Sequence, residues 1–296
     1  MPDAAPLPPF LGCDNPGAER ACVGILPFGY EGTVSYGRGT AEGPRAILEA
    51  SAQVELYDEA LGYEPCQAGI VTLPQPPLPR TPADAVAAAR DGTSRLLARG
   101  LWPVVLGGEH SISSGVCEAL TEAYDELGVI QFDAHADLRA SYGGSPHSHA
   151  CVMARMRERI GAVLQLGIRS LSAAEAERIR ASGYAVGWMR EMRSGAFDLA
   201  SALAALPDRV FLTFDVDALD LNLVRATGTP EPGGFTWGEV THTLAEIFQT
   251  KTVVGMDMVE LCGGDRISAF CVARLVYRMI GLRFPPSEGF ARPASG

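Results

Sequence analysis

The chain has 296 residues, 47% of them apolar, so it can bury a large core; at this length an α/β protein is often one compact unit. A formal net charge of -11 argues against nucleic acid as a partner, because phosphate binding needs basic patches, and is compatible with a cationic ligand. Seven cysteines, none in a close CxxC pair and several inside apolar runs, point to buried thiols rather than a disulfide framework. The N-terminus lacks a basic start with an apolar core, and no apolar run reaches the length of a membrane span. The expectation is a soluble cytoplasmic protein with no membrane partner.

In chain order, residues 1–18 are rich in Pro, Gly and Ala and read as an irregular arm. A first strand is expected over 21–26. A long glycine-rich loop follows and ends at Pro44, which suits the first turn of a helix reaching the early fifties. A strand over 68–73 and a Pro-rich stretch lead to a helix over 83–100, closed by Gly100. Strands are expected at 102–106, 128–132, 163–167, 184–187, 210–214 and 252–256. Between them fall helices at 111–126, 149–159, 172–181, 197–205 and 236–248, with a last one at 267–280. The helix near 172 opens with a capping box, Ser172 and Glu175. Residues 282–296 read as a tail, and the whole chain as a single domain. Continuous apolar strands alternating with helices predict a parallel sheet between helical layers, an open sheet in preference to a closed barrel.

Three apolar runs end in chemistry. VVLGG ends in Glu109 and His110. VIQF ends in Asp133, Ala134, His135, Ala136 and Asp137; on an extended chain, alternate residues would point the same way. VFLTF ends in Asp215, Val216 and Asp217. Ligands bind outside the carboxyl ends of strands in open α/β sheets. His110, Asp133, His135, Asp137, Asp215 and Asp217 are therefore expected on one rim, a hard donor set that suits Mn²⁺ best. Two carboxylates ~4 Å apart repel by about 4 kcal/mol at an effective dielectric near 20. Four make six pairs. At half that value the sum is ~12 kcal/mol, comparable with a domain's net stability of roughly 5–15 kcal/mol. Two divalent cations would balance four negative charges. Taken singly, each of these residues reads equally as a helix cap, a turn residue or a hydrogen-bonded core histidine; the joint pattern points to metal.

The motifs GGEHS at 107–111, DAHAD at 133–137, SHA at 148–150, DVDALD at 215–220 and TGTPEPGG at 227–234 resemble the ureohydrolase family, which includes arginase, agmatinase, guanidinobutyrase, guanidinopropionase and formimidoylglutamase. The glycine-rich loop EGTVSYGRGTAEGPRAI is similar to the family's substrate-side loop. The resemblance spans about 23–281. It implies a three-layer α/β/α fold with an eight-stranded parallel sheet, two Mn²⁺ ions and a homotrimer or homohexamer. It also implies that one ion takes His110, Asp133, Asp137 and Asp215, and the other Asp133, His135, Asp215 and Asp217. By the same resemblance His149 is the proton shuttle, and Glu260 holds the substrate guanidinium. Asp257 and Glu109 are candidates for orienting ligands, and Thr229 and Glu231 for the substrate loop. His147 is a poorer shuttle candidate, and His242 reads as a surface residue.

TPEPGG resembles the agmatinase branch more than arginase, which makes agmatine, cleaved to putrescine and urea, the leading substrate. Two departures bear on that choice. Val224, Arg225 and Ala226 stand where agmatinases often have Ala-Pro-Gly, and Cys262, Gly263 and Gly264 where prolines are common. Arg139, just after the metal cluster, would bind a substrate carboxylate if it faces the pocket, as for guanidinobutyrate or formimidoylglutamate. Facing outward it would make a surface or interface ion pair. A single-Zn²⁺ deacetylase on a similar fold and a non-catalytic binding protein are the competing classes.

Overall fold

A computed structural model of the chain describes residues 6–12 and 21–286. Eight strands form one sheet: β1 (Val23–Phe28), β2 (Ile70–Thr72), β3 (Trp102–Gly107), β4 (Gly128–Phe132), β5 (Val163–Ile168), β6 (Ala185–Trp188), β7 (Arg209–Asp215) and β8 (Thr252–Val259). Their spatial order is β2-β1-β3-β8-β7-β4-β5-β6. Every pairing is parallel. The described helices are α1 (Gly43–Ser51), α2 (Pro82–Ala98), α3 (Ser113–Ala123), α4 (Val152–Arg157), α5 (Ala173–Ser182), α6 (Met189–Ser194), α7 (Leu199–Ala204), α8 (Trp237–Thr250) and α9 (Arg266–Arg283).

Every residue of β1, β3, β4 and β5 is buried, as a parallel sheet covered on both faces requires. Leu96, Val116, Leu120, Met153 and Ile179, from α2 to α5, cover one face with Val105, Val129 and Phe211. Ile47, Leu203, Val240, Leu244 and Val276, from α1 and α7 to α9, cover the other with Ile130, Leu212 and Met256. This is the expected three-layer α/β/α arrangement and an open sheet. Among the described residues no helix is long and apolar enough to cross a membrane.

Several boundaries differ from expectation. The helices expected to begin at 111 and 149 each begin as a 3₁₀ turn, His110–Ile112 and His149–Cys151, before α3 and α4. The sequence MREMRS forms the short helix α6, which carries too few apolar residues to show a helical period. β8 runs on to Val259, so Glu260 sits at the strand tip. The strand run of β4 stops at Phe132, and residues 133–137 do not continue it. Of the N-terminal arm, Phe10–Gly12 is a 3₁₀ turn pinned by Phe10 N donating to Thr72 Oγ1 (2.9 Å) and Leu11 N donating to Ser51 Oγ (2.8 Å). The rest of the arm and residues 287–296 of the tail lie outside the described residues. Cys117 and Cys151 are buried thiols, as expected.

Candidate metal centre and active site

β3, β8, β7 and β4 are neighbours, so His110, Glu260, Asp215 and Asp133 leave the sheet on one rim. His110 is buried, and its Nε2 lies 2.9 Å from Thr213 Oγ1 of β7. Its Nδ1 lies 3.1 Å from Asp133 Oδ2, 3.3 Å from Asp137 Oδ2 and 3.4 Å from Asp215 Oδ2, yet is buried with no hydrogen-bond partner. In the tautomer that carries the ring proton on Nε2, facing Thr213, Nδ1 would present a bare lone pair to three carboxylate oxygens. A divalent cation fits that arrangement.

The segment after β4 turns instead of running straight. Asp137 adopts φ +52°, in the left-handed region that non-glycine residues seldom occupy. The turn swings its carboxylate back beside His110. Straps from the loop after β5 hold the segment: Arg169 N and Ser170 N both donate to Ala134 O at 2.9 Å. His135 Nδ1 lies 2.9 Å from Asp217 Oδ2 and 3.6 Å from Asp133 Oδ1. Asp217 Oδ1 accepts from Ala134 N (3.0 Å), and Asp215 Oδ1 accepts from Asp217 N (2.9 Å). Two groups of donor atoms result, His110/Asp133/Asp137 and Asp133/His135/Asp217, each with its atoms within 4.8 Å of one another. Asp133 belongs to both. Asp215 stands beside the first.

Electrostatics agree with the geometry. Burial, then Asp133, pushes Asp137 up to about 7. Burial, then Asp217 and Asp133, pushes Asp215 well above the carboxylate range. Burial opposes charge on His135, but Asp217 and Asp133 raise it to about 12. Negative charge in the cluster exceeds what two imidazoles balance, and bound cations would supply the balance.

A cavity of about 280 Å³ opens over this rim, lined by His110, His135, Asp137, Arg139, Tyr142, His149, Glu175, Asp215, Thr229 and Glu260 among others. Glu260 is buried with φ +67°, and its Oε1 accepts from His110 N at 2.6 Å. Burial, with Glu109 adding to it, raises its carboxyl to about 8. His149 faces the glycine-rich loop: Thr33 Oγ1 lies 3.1 Å from its Nδ1 and Ser35 Oγ 3.4 Å from its Nε2. Burial lowers its imidazole below the ordinary value. Thr229 Oγ1 lies 3.5 Å from Asp217 Oδ2. Arg139 lines the cavity and also pairs: its Nε lies 3.9 Å from Glu175 Oε2, and its guanidinium 5.1 Å from the Tyr142 ring centre. Glu231 sits behind His135, accepting from Ser170 Oγ (2.8 Å).

Glu109 holds the loop itself. Its Oε2 accepts from Gly32 N (2.7 Å) and Thr33 N (2.6 Å), its Oε1 from Thr33 Oγ1 (2.7 Å) and Ser111 Oγ (2.6 Å). Close passage of that loop needs Gly108, where a Cβ would stand 2.1 Å from Tyr30 O. Asp257 Oδ1 accepts from Phe214 N (3.2 Å). His147 does not line the cavity, and His242 is exposed on α8.

Arg169 carries no motif signal, yet its guanidinium donates to the carbonyls of Asp217 (2.6 Å), Glu231 (2.8 Å) and Pro232 (3.0 Å). It thereby ties the DVDALD and TGTPEPGG loops together. Nor does the sequence mark Ser35, Tyr142 and Glu175 as lining residues. Only the capping box marked Glu175, and a cap says nothing of a cavity.

An α/β/α sheet whose strand tips carry two linked His/Asp groups defines the class of binuclear metal-dependent hydrolases. The arginase family profile matches residues 21–281, and the chain belongs to that family. It is a ureohydrolase, a hydrolase of guanidino compounds. It is 40% identical to the N(1)-aminopropylagmatine ureohydrolase of Synechocystis sp., over 88% of this chain and 89% of that protein. It is 35% identical to the agmatinase of Pyrococcus horikoshii, over 87% and 90%. The crystal structure of agmatine ureohydrolase of Thermoplasma volcanium superposes with a TM-score of 0.82 at 26% identity, covering 90% of this chain and 91% of that one.

Proposed function

We propose that this chain hydrolyses agmatine or its N(1)-aminopropyl derivative to urea and an amine. His110, Asp133, Asp137 and Asp215 would hold one divalent cation, and Asp133, His135, Asp215 and Asp217 the second. The observation that carries the reading is His110 Nδ1, buried and unpartnered against three carboxylates, with Asp133 shared between both groups. Bound cations at such a centre neutralise the carboxylates and lower the pKa of water from 15.7 towards about 7. Mn²⁺ suits the oxygen-rich donor set.

The protein's own groups do the rest. Glu260, held by His110 N, takes the substrate guanidinium and balances a buried cation. His149, uncharged near neutrality because burial lowers it, handles the proton that the departing amine requires. Thr229 and Arg139 border the substrate. The family resemblance, which spans 21–281, further supports a homotrimer or homohexamer; a cytoplasmic setting and one domain over 1–296 rest on the sequence reading.

A guanidino acid is the second reading, favoured by Arg139 in the cavity wall. Glu175 at 3.9 Å offsets that charge, so a cationic tail is preferred. Urea release from the Mn²⁺-loaded protein decides between them. Agmatine or N(1)-aminopropylagmatine is expected to give the highest kcat/KM. Arginine or guanidinobutyrate as the best substrate would overturn the assignment.

A further inference from the structure

Beneath the strand tips, on the face covered by α3 and α4, four neighbouring strands place polar side chains in one register. Gln165 of β5 pairs with Gln131 of β4, Gln131 with Thr213 of β7, and Thr213 with Asp257 of β8. All four are fully buried. A parallel sheet roofed by helices is ordinarily apolar at such positions, and buried polar groups persist where they find partners. Thr213 meets His110. The two glutamines form the other arm, and nothing in the proposed chemistry uses them.

Their amide orientations are dictated from outside. Arg157 lies 3.6 Å from the Tyr184 ring centre, and its guanidinium donates to Gln165 Oε1 at 3.3 Å. A guanidinium can only donate, so Gln165 turns its carbonyl outward. Its Nε2 then donates to Gln131 Oε1 (2.6 Å) and to Ala136 O (2.8 Å). With its own carbonyl engaged, Gln131 must present Nε2 to Asp133 Oδ2, at 2.6 Å. Asp133 Oδ1 accepts from His135 N at 2.6 Å. One fixed donor on each oxygen stops the carboxylate from swivelling. Oδ2 faces His110 Nδ1 (3.1 Å) and Oδ1 faces His135 Nδ1 (3.6 Å), one oxygen towards each donor group.

We propose that Gln131 is a positioning residue for the cation centre: locked by Gln165 and Arg157, it aims the shared carboxylate of Asp133 at both groups. This rests on the binuclear reading above. The test is calorimetric titration of the metal-free protein with Mn²⁺, comparing wild type with Gln131→Met, which keeps the length and removes the donor. The variant should keep its circular dichroism when metal-free. It should bind at least one of the two ions about 10–100-fold more weakly, the usual effect of losing a group that orients a ligand. At saturating Mn²⁺ its kcat should fall while KM stays near the wild-type value, and the exchange-coupled electron paramagnetic resonance spectrum of the Mn²⁺ pair should change. A folded variant with wild-type affinity for both ions and an unchanged spectrum would overturn the proposal and leave the binuclear centre standing. A wild-type protein that takes up fewer than two ions would sink the centre itself. Should Gln131→Met not fold, Gln165→Met, which leaves Gln131 in place but unlocks its amide, carries the same expectation and the same refutation.

Discussion

His149 shows how burial sets a residue's chemistry. Its imidazole titrates below the ordinary value because the loop around Thr33 and Ser35 desolvates it, so it is neutral at pH 7 and can accept or relay a proton. Replacing it by alanine should lower kcat by about 10²–10⁴-fold and remove one limb of the pH–rate profile. A wild-type profile in the variant would exclude it from proton transfer. Six of the proposed site residues are legible in the sequence because each ends or follows an apolar run, where a charged side chain stands out. Gln131, Gln165 and Arg169 are not. A lone glutamine inside a strand carries no periodic signal, and an arginine that binds only carbonyls leaves no carboxylate partner in the sequence to flag it. Arg139 was legible as near the site, but which way it pointed depended on Glu175, which α5 brings from elsewhere in the chain.

Elements were legible where one local force dominates. The long strands showed as apolar runs, and α5 and α8 begin at their capping boxes, Ser172/Glu175 and Thr236/Glu239. The helices expected from 111 and from 149 open instead as 3₁₀ turns, at His110–Ile112 and His149–Cys151, where His110 lies against Thr213 and His149 against Thr33. The cap of α8 makes a pH prediction. Its Glu239 carboxyl is held down at about 2, against an ordinary 4.5, first by Arg193 and then, over the opposing effect of burial, by Thr236. A depressed carboxylate stabilises the fold above its unfolded pKa, and the contribution fades as pH falls from about 4.5 towards about 2. Solvent screens the Arg193 pair, so the cap sets the scale. Glu239→Gln should cost about 1 kcal/mol in urea unfolding at pH 7, a deficit that narrows in acid. A deficit equal at pH 7 and pH 3.5 would contradict this origin.

At the scale of the whole molecule, the segment between α1 and β2 is fastened to α9 by a buried ion pair. Asp58, fully buried, accepts from Arg278 Nε and Nη2, both at 2.9 Å, with Arg274 at 3.5 Å. Removing Arg278 leaves the buried Asp58 carboxylate with only the longer Arg274 contact, an under-compensated charge in the interior. Arg278→Met should therefore destabilise the protein by about 3–5 kcal/mol, and adding Asp58→Asn should recover part of that loss. Equal stability of the single and double variants in chemical unfolding would show that the charge is not what matters.

β8 follows every other strand in the chain, yet it lies between β3 and β7. The strands made earlier fall into two half-sheets that share no edge until it slots in. His110 belongs to one half, and the four aspartates with His135 to the other. A ribosome-bound chain lacking β8 thus has no closed core: Asp133, His135, Asp215 and Asp217 already share one half, but His110 has yet to be brought up to Asp133, Asp137 and Asp215. Growth from the N-terminus therefore delays assembly of the His110 group until β8 is made, and a premature stop before residue 252 should leave two aggregation-prone fragments of sheet rather than a weakened enzyme.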